Sequence, residues 1–384
     1  MGNIIQVIER ETRGKSYKSA RYCNDELGLS NIQYEDNDRV IWKNYGETEQ
    51  YKHSINLKER ADAVVTGSSI FSYFLDGSRH TYKVDDISYN KNVYPIIAGQ
   101  VGIGCCKRIN KVMQKELFER KLIIVLPSIA NREGWGAGNY FNDLLGKINA
   151  GSNIKEHHGL EFDAVKSYTT DHDEKLDKKG VAVIQDYMVE LEKDFVASLV
   201  LKDRLDQNNY LIKDGSLEYK HISNKSKNTK NLSDERIANN YRYVIGVSKT
   251  FDPTKCKVKS GGTNSDIVAE LKPFERTPVY MYQSEIAGNV YFAIWYLRLH
   301  DARYSNGVFD GVVKVEKLVF DKKEQEKGVD SELIDHISAH LLNERNPVCY
   351  GADDRWANHI YPVYLTESFV KSKYMSNNLF LQLF

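Results

Sequence analysis

The chain has 384 residues, and its 53 Lys and Arg residues balance 53 Asp and Glu residues, so the formal net charge is zero. This length fits one large domain or two modest ones. A neutral chain has no overall positive field to attract nucleic acid, so any contact with DNA or RNA must come from a local basic patch. No apolar run approaches the length of a membrane span, and the first residues carry no signal-peptide core, so we expect no membrane association.

The five cysteines are scattered along the chain and form no Cys-x-x-Cys pair. A structural zinc site is therefore not expected. An odd number of cysteines without a disulfide framework predicts a protein of the reducing cytoplasm.

In chain order, residues 1–66 are polar and charged and predict an N-terminal helical arm. The remainder, 67–384, is interpreted as one α/β domain. Apolar alternating segments at 72–75, 80–87 and 94–106 predict an antiparallel meander of three strands. A further buried strand is predicted at 122–126, and the glycine-rich, then charged, stretch at about 134–180 is interpreted as an irregular insertion.

Two Asp-Gly-Ser tripeptides each follow an apolar run, Asp76-Gly77-Ser78 and Asp214-Gly215-Ser216. The pattern predicts that each aspartate lies at the carboxyl end of a buried strand, where glycine allows a sharp turn. The alternative is an ordinary hairpin, because Asp-Gly is a common turn dipeptide. If the two strands are neighbours in one sheet, the aspartates meet, and paired carboxylates are what a divalent-metal nuclease needs.

A long amphipathic helix is predicted between the two motifs, at about 181–201. Its apolar stripe consists of Ile184, Met188, Leu191, Phe195 and Leu199. Helical spacing puts Glu192 on the buried side and Glu190 on the solvent side. A carboxylate on an apolar stripe is costly unless it is paired or bound to metal. The alternative is that Glu192 lies at the margin of the stripe and reaches solvent.

Asp76, Glu192 and Asp214 thus form a consistent set of candidate ligands. Hard carboxylate oxygens are typical ligands of Mg²⁺ or Mn²⁺, and two such ions could activate a water and stabilise the leaving oxygen of a phosphodiester. Lys249 ends a further predicted strand at 243–249 and could neutralise the scissile phosphate. Its alternative is an ordinary lysine at a strand end. Later strands are predicted at 290–299 and 311–320, with helices at 331–342 and within 360–384.

The ordered series of these motifs resembles the NurA nuclease family over roughly residues 70–384. The motifs are Leu75-Asp76-Gly77-Ser78, the helix with an inward glutamate, Ile212-Lys213-Asp214-Gly215-Ser216-Leu217, Ile245-Gly246-Val247-Ser248-Lys249, the strand 291–297, the paired strand 312–315 and Tyr361-Pro362. The resemblance implies an α/β, RNase H-like mixed sheet flanked by helices, in a dimer. It also implies cleavage of DNA with Mn²⁺ or Mg²⁺, in DNA end processing or phage defence with a HerA-type hexameric translocase.

Carried onto this sequence, the resemblance makes Asp76, Glu192 and Asp214 the metal carboxylates and Tyr361 the late active-site tyrosine. The candidate substrate contacts are Arg79, Tyr361 and His359. The family usually has a histidine in its last helix, where this chain has Ser368-Phe369. The candidates to replace that histidine are His359 and Glu367.

Two other functions stay open at this point. The departure at Ser368-Phe369 favours a degenerate, non-catalytic subunit that acts as a scaffold or regulator of a translocase. The third reading is a different RNase H-like enzyme that acts on RNA.

Overall fold

The structure is a computed structural model. It describes residues 4–25, 40–43, 46–131, 137–151, 159–170, 175–218, 234–251, 265–284, 290–301, 307–345 and 356–384.

Up to residue 127 the described part of the chain is mostly strands. Helices and strands follow one another in the remainder. The helices are α1 Ile4–Thr12, α2 Lys58–Val64, α3 Ala137–Gly151, α4 Leu176–Leu201, α5 Asp234–Asn239, α6 Ser265–Glu270, α7 Lys322–Lys327, α8 Ser331–Asn343, α9 Tyr361–Lys371 and α10 Asn377–Leu381. The strands are β1 Lys15–Ser16, β2 Tyr22–Cys23, β3 Val40–Lys43, β4 Ile55–Asn56, β5 Phe71–Tyr89, β6 Asn92–Ile109, β7 Val112–Pro127, β8 Ala164–Tyr168, β9 Tyr210–Asp214, β10 Val244–Ser248, β11 Glu275–Arg276, β12 Tyr280–Ser284, β13 Val290–Arg298 and β14 Val312–Val319.

The strands form one mixed sheet in the order β3–β12–β13–β14–β10–β9–β5–β6–β7–β8. At its centre, β5, β6 and β7 are antiparallel, β9 is parallel to β5, and β10 is parallel to β9. The long helix α4 lies in the chain between β7 and β9. Five of these strands, in the order β7–β6–β5–β9–β10, have the arrangement of an RNase H-like sheet. Of these five, β5 comes first in the chain and lies in the middle, and the last two, β9 and β10, are parallel to it. The predicted fold class, a mixed α/β sheet flanked by helices, is confirmed.

The predicted meander is present, but its strand boundaries were wrong. The segments 72–75 and 80–87 belong to one continuous strand, β5, because Gly77 pairs with Ile103 of β6 instead of turning the chain. The meander's third strand is β7, which includes the strand predicted at 122–126. The real turns are at Asn90-Lys91 and Asn110-Lys111, where all four residues have positive φ, from 49° to 68°. Positive φ at both central positions is the geometry of a tight two-residue hairpin.

The stretch interpreted as an irregular insertion, 134–180, is largely regular where the structure describes it. It contains α3 and the edge strand β8, which runs parallel to β7 from Ala164 to Tyr168. It also contains the first turn of α4, which begins at Leu176. Two of the glycines that suggested irregularity, Gly138 and Gly146, lie within α3 despite the low helix propensity of glycine.

The hydrophobic core lies on both faces of the sheet. One face packs against α4, through residues such as Leu75, Ile103 and Val196. The opposite face is covered by two groups of helices, α1, α3 and α10 over one half and α2, α8 and α9 over the other. No helix among the described residues is long and apolar enough to cross a membrane.

The N-terminal residues pack directly onto this sheet. Strands β1 and β2 pair with β5, and β3 pairs with β12. A fully buried ion cluster fixes the later part of the segment, because Arg276 contacts Glu47 at 2.8 Å and Asp335 of α8 at 2.6 Å. The boundary predicted between a helical arm and the α/β domain, at residue 66, stays a prediction.

Candidate active site

The two Asp-Gly-Ser motifs adopt different conformations. Strand β9 ends at Asp214, and Gly215 follows with φ of 84°, so here the predicted strand end with a glycine turn is correct. Asp76 instead lies inside β5, which continues to Tyr89. The prediction that Asp76 ends its strand was wrong, because β6 pairs with β5 along its full length and holds Gly77 in extended conformation.

The two aspartates nevertheless lie on the same face of adjacent strands. Strand β9 pairs with β5 in parallel up to Lys213, which is opposite Leu75. Asp76 and Asp214 are the next residue on each strand. Since side chains alternate along a strand, both point away from α4, toward the face that α9 covers.

Asp76 is the most unusual carboxylate of the site. It is only 4% exposed, and its Oδ2 has no hydrogen-bond partner among the described residues. Burial raises the pKa of Asp76 well above its usual value, and the negative charges of Asp214, Glu367 and Glu192 raise it further, while Lys249 lowers it. A buried carboxylate in this position is therefore a strong candidate to bind a cation.

Lys249, directly after β10, forms an ion pair with Asp214. Its Nζ is 3.0 Å from Oδ2 of Asp214 and 3.3 Å from Oε2 of Glu367, a residue of α9. Burial opposes the charge on the lysine, but the surrounding carboxylates still raise its pKa. The pKa of Glu367 is lowered to about 2, because the attraction of Lys249 and Lys371 outweighs the opposing effect of burial.

Glu192 approaches from the other face of the sheet. It is 3% exposed, whereas the side chain of Glu190 is 50% exposed, so the predicted helix phase is confirmed. Its Oε2 is 3.0 Å from Nζ of Lys213. A Cβ atom on Gly77 would lie only 2.3 Å from its Oε1, so the carboxylate occupies the space that a side chain at residue 77 would fill. Burial raises the pKa of Glu192, and Lys213 opposes this shift.

The opening between β5 and β9 brings the two faces together. Pairing between these strands ends at Leu75 and Lys213, and among the described residues the next strand on that edge of β5 is β2, which pairs at Tyr82. Glu192 reaches this opening over the bare backbone of Gly77. The charge of Glu192 contributes to the raised pKa of Asp76, and the charge of Asp214 contributes to that of Glu192.

The donor set has the chemistry that a hard divalent cation prefers, but the carboxylate oxygens of Asp76, Asp214 and Glu192 do not all lie within 4.8 Å of one another. All the acidic groups offer carboxylate oxygens, which Mg²⁺ and Mn²⁺ prefer, and Asp76 Oδ2 is a buried oxygen without a hydrogen bond. Asp76, Asp214 and Glu192 are the residues that would hold such an ion, with Glu367 close to Lys249. Because the lysines already neutralise part of this negative charge, the site combines partial charge balance with one uncompensated carboxylate.

The three predicted substrate contacts lie in different surroundings. Arg79 is on the α4 face of β5, where its Nε donates to Oε1 of Gln185 at 2.6 Å. Tyr361 is the first residue of α9 and is 38% exposed. His359 is buried and stacks on Tyr364 with ring centroids 5.3 Å apart. Of the two candidates to replace the family's late histidine, Glu367 contacts Lys249, whereas His359 stacks on Tyr364 of α9.

Sequence reasoning missed Lys213. The residue lies in the apolar run that precedes Asp214, and it is buried, with a side chain 6% exposed. A lysine inside a buried strand is as costly as a buried glutamate, so its pairing with Glu192 could have been suspected from the sequence.

No protein-family model and no curated protein matches this chain. Among solved structures, the crystal structure of the NurA nuclease from Sulfolobus solfataricus is similar to it, with a TM-score of 0.39 and 12% sequence identity. The match covers 82% of this chain and 85% of that one. A similarity at this level assigns neither a family nor an activity to the chain.

The contact between Gly77 and Glu192 gives a first prediction. Gly77→Ala is expected to lower the free energy of unfolding by about 1–3 kcal/mol, because the new methyl group must displace a buried, lysine-paired carboxylate. Urea unfolding measures this change. Gly146→Ala is the control, because Gly146 lies in α3 with nothing within 4 Å, and there alanine should stabilise the helix. Unchanged stability of the Gly77 variant would contradict the close contact.

The raised pKa of Asp76 gives a second prediction. Without divalent metal, Asp76→Asn should raise the free energy of unfolding at neutral pH. A carboxyl group with a raised pKa in the folded state contributes stability that is fully present below its unfolded pKa, about 4, and is lost as pH rises through the folded value. The difference between the variant and the wild type should therefore vanish below pH ~4 and grow as the pH rises.

Urea unfolding in EDTA over a pH series measures this difference. Asp62→Asn is the matched control, because the Asp62 side chain is 64% exposed and pairs only with a surface lysine among the described ion pairs. Its effect should be small at every pH. A destabilised Asp76→Asn protein at neutral pH would show that the carboxylate is well compensated without metal.

Proposed function

We propose that this protein is a divalent-metal-dependent deoxyribonuclease, with Asp76, Glu192 and Asp214 as its metal ligands. The observation that carries the proposal is the buried Asp76 carboxylate. Its Oδ2 lacks a hydrogen bond, and it lies beside Asp214 and Glu192 at an opening in an RNase H-like sheet. Such a group is costly in a folded protein unless a cation binds to it. The motif resemblance described from the sequence supports the same chemistry.

Mn²⁺ or Mg²⁺ at this site would supply an activated water and charge stabilisation at the leaving oxygen of a phosphodiester. The chain's own residues would do the rest. Asp76 and Asp214 would hold the cation from one face of the sheet, and Glu192 would reach it over Gly77. Lys249, whose Nζ is 3.0 Å from Asp214, would contribute fixed positive charge where negative charge develops on the phosphate. Glu367 would hold that lysine in place.

A second candidate function has its own support. Lys213 pairs with Glu192, and Lys249 pairs with both Asp214 and Glu367, at 3.0–3.3 Å. These pairs neutralise part of the negative charge without any metal, as expected for a degenerate site in a scaffold or regulatory subunit. Asp76 favours the nuclease, because its buried carboxylate has no ion-pair partner among the described residues. In a site without metal this carboxylate would only destabilise the fold.

The choice of glutamate gives a third prediction. In assays with Mn²⁺ or Mg²⁺, Glu192→Gln should lower DNA cleavage by a factor of 100 or more, roughly the effect of losing one essential charged group. Glu190→Gln should cleave nearly as fast as the wild type, because Glu190 is exposed on the same helix. Labelled single-stranded and double-stranded DNA, with RNA alongside and EDTA as the metal-free condition, provide the measurement.

The same assay separates the candidate functions. Cleavage of DNA that is lost in EDTA and in both Asp76→Ala and Asp214→Ala supports the nuclease. Cleavage of RNA alone supports the different RNase H-like enzyme. A wild-type protein that is inert with either metal, with and without a translocase partner, supports the scaffold. Cleavage that survives both alanine substitutions would place the chemistry at another site.

We further propose that the protein acts as a homodimer with a HerA-type hexameric translocase, in DNA end processing or phage defence. The support is the motif resemblance together with the zero net charge of the chain. A neutral chain has no strong field to hold DNA, so a ring-shaped partner would supply the grip on the substrate.

This gives a fourth prediction. DNA binding by the isolated protein should be weak and should fall steeply with salt, because binding through phosphate contacts releases condensed counterions. Fluorescence anisotropy with a labelled duplex at about 50 to 200 mM salt measures this dependence. Over that range a protein with roughly 6–10 phosphate contacts loses about 10³–10⁵-fold in affinity. Nanomolar binding that is insensitive to salt would contradict the proposed need for a partner.

A further inference from the structure

A second group of metal-ligating side chains lies on β5, away from the carboxylates described above. It consists of Cys23 in β2, Asp25 directly after β2, and His80 in β5. Strand pairing assembles the group, because Cys23 lies opposite Tyr82 in the antiparallel ladder. The amide of Asn24 also donates to the carbonyl oxygen of Thr81. These contacts join residues that are more than fifty positions apart in the sequence.

The three side chains converge closely. One ligand atom from each lies within 4.8 Å of the other two. Nδ1 of His80 is 3.0 Å from Oδ2 of Asp25, and Sγ of Cys23 is 3.8 Å from that same oxygen. Neighbouring ligands on a tetrahedral ion with bonds of about 2.0–2.3 Å are separated by comparable distances.

We propose that Cys23, Asp25 and His80 form a zinc site. A thiolate and an imidazole are ligands that select zinc over Mg²⁺ or Mn²⁺, and one carboxylate completes a familiar three-ligand set. Cys23 is 2% exposed, so its sulfur would face the ion from the protein interior. The side chains of Asp25 and His80 are 20% and 32% exposed, which leaves the fourth position open to water.

An unsatisfied oxygen supports the proposal independently of these distances. Oδ1 of Asp25 is buried and has no hydrogen-bond partner among the described residues, whereas Oδ2 accepts from the Thr81 amide at 3.2 Å and also contacts His80 and Cys23. The carboxylate is therefore oriented by one oxygen and has a lone pair to spare on the other. A ligand that is fixed by a second hydrogen bond is typical of zinc sites in proteins.

A bound ion would join two segments of the chain that are distant in the sequence. Among the described residues, β2 contributes only Tyr22 and Cys23 to the sheet, so its own backbone pairing is short. An ion that joins Cys23 and Asp25 to His80 would fasten this segment to β5, four residues beyond Asp76. His80 also packs edge-on against Tyr374, with ring centroids 4.8 Å apart. The zinc site is separate from the proposed nuclease centre, because the two share no ligand.

The test uses the full chain, stripped of metal with a chelator and titrated with Zn²⁺ alone. After gel filtration, mass spectrometry of the metal content should give one zinc per wild-type chain. Cys23→Ser and His80→Gln should weaken zinc binding tenfold or more, because each removes a ligand. Titration with Co²⁺ should give a thiolate-to-metal charge-transfer absorption in the wild type that Cys23→Ser lacks. Zinc should also raise the melting temperature of the wild type.

Two variants serve as controls. His53→Gln replaces an exposed histidine outside the group, and Asp76→Asn alters the other carboxylate centre, so both should keep one zinc per chain. A wild-type protein that takes up no zinc would overturn the proposal, and so would zinc that stays bound with unchanged affinity in Cys23→Ser. Zinc uptake by the wild-type protein tests the proposal without any variant, so the test does not depend on whether the variants fold.

Discussion

The pairing of buried lysines with buried carboxylates is the interaction on which the candidate site depends. Three acidic side chains, Asp214, Glu367 and Glu192, act electrostatically on Asp76, and without cations the mutual repulsion and desolvation of the four groups would be unfavourable. Lys213 stabilises Glu192 on one face of the sheet, and Lys249 stabilises Asp214 and Glu367 on the other. Asp76 lies between these pairs with a raised pKa. The site is therefore balanced enough to fold and still has one carboxylate whose burial a metal ion would offset.

Missing side chains are as important to this arrangement as charged ones. Gly77 leaves the space that the Glu192 carboxylate occupies. On the other face, Cβ atoms at Gly102 and Gly104 would lie 2.7 Å and 2.4 Å from Val370 of α9, so these glycines allow α9 to pack directly on β6. That close packing brings Glu367 to Lys249. Gly77 thus makes room for the carboxylate of Glu192 on α4, and Gly102 and Gly104 allow the close packing of α9, which carries Glu367.

Short strands of the N-terminal segment pair directly with strands of the sheet. Strands β1 and β2 extend along the free edge of β5, beyond the opening at Asp76. Glu47 binds the fully buried Arg276, which also contacts Asp335 of α8. Breaking such a buried pair on one side leaves an uncompensated charge and is strongly destabilising. Residues that the sequence assigns to an arm therefore help to fix both the edge of the sheet and the helices that cover its face.

The sequence by itself determined the local features that depend on neighbouring residues. Alternation and apolar runs located the buried strands, the 3.6-residue period located α4 and the inward side of Glu192, and the Asp-Gly turn after β9 was correct because Gly215 has positive φ. The same dipeptide misled at Gly77, since pairing with β6 holds that residue extended. Only the tertiary structure decided that Lys213 meets Glu192, that Lys249 bridges Asp214 and Glu367, and that Cys23 meets His80. These contacts join strands and helices that are distant in the chain, and their geometry follows from strand order, register and helix packing, which no local pattern of residues encodes.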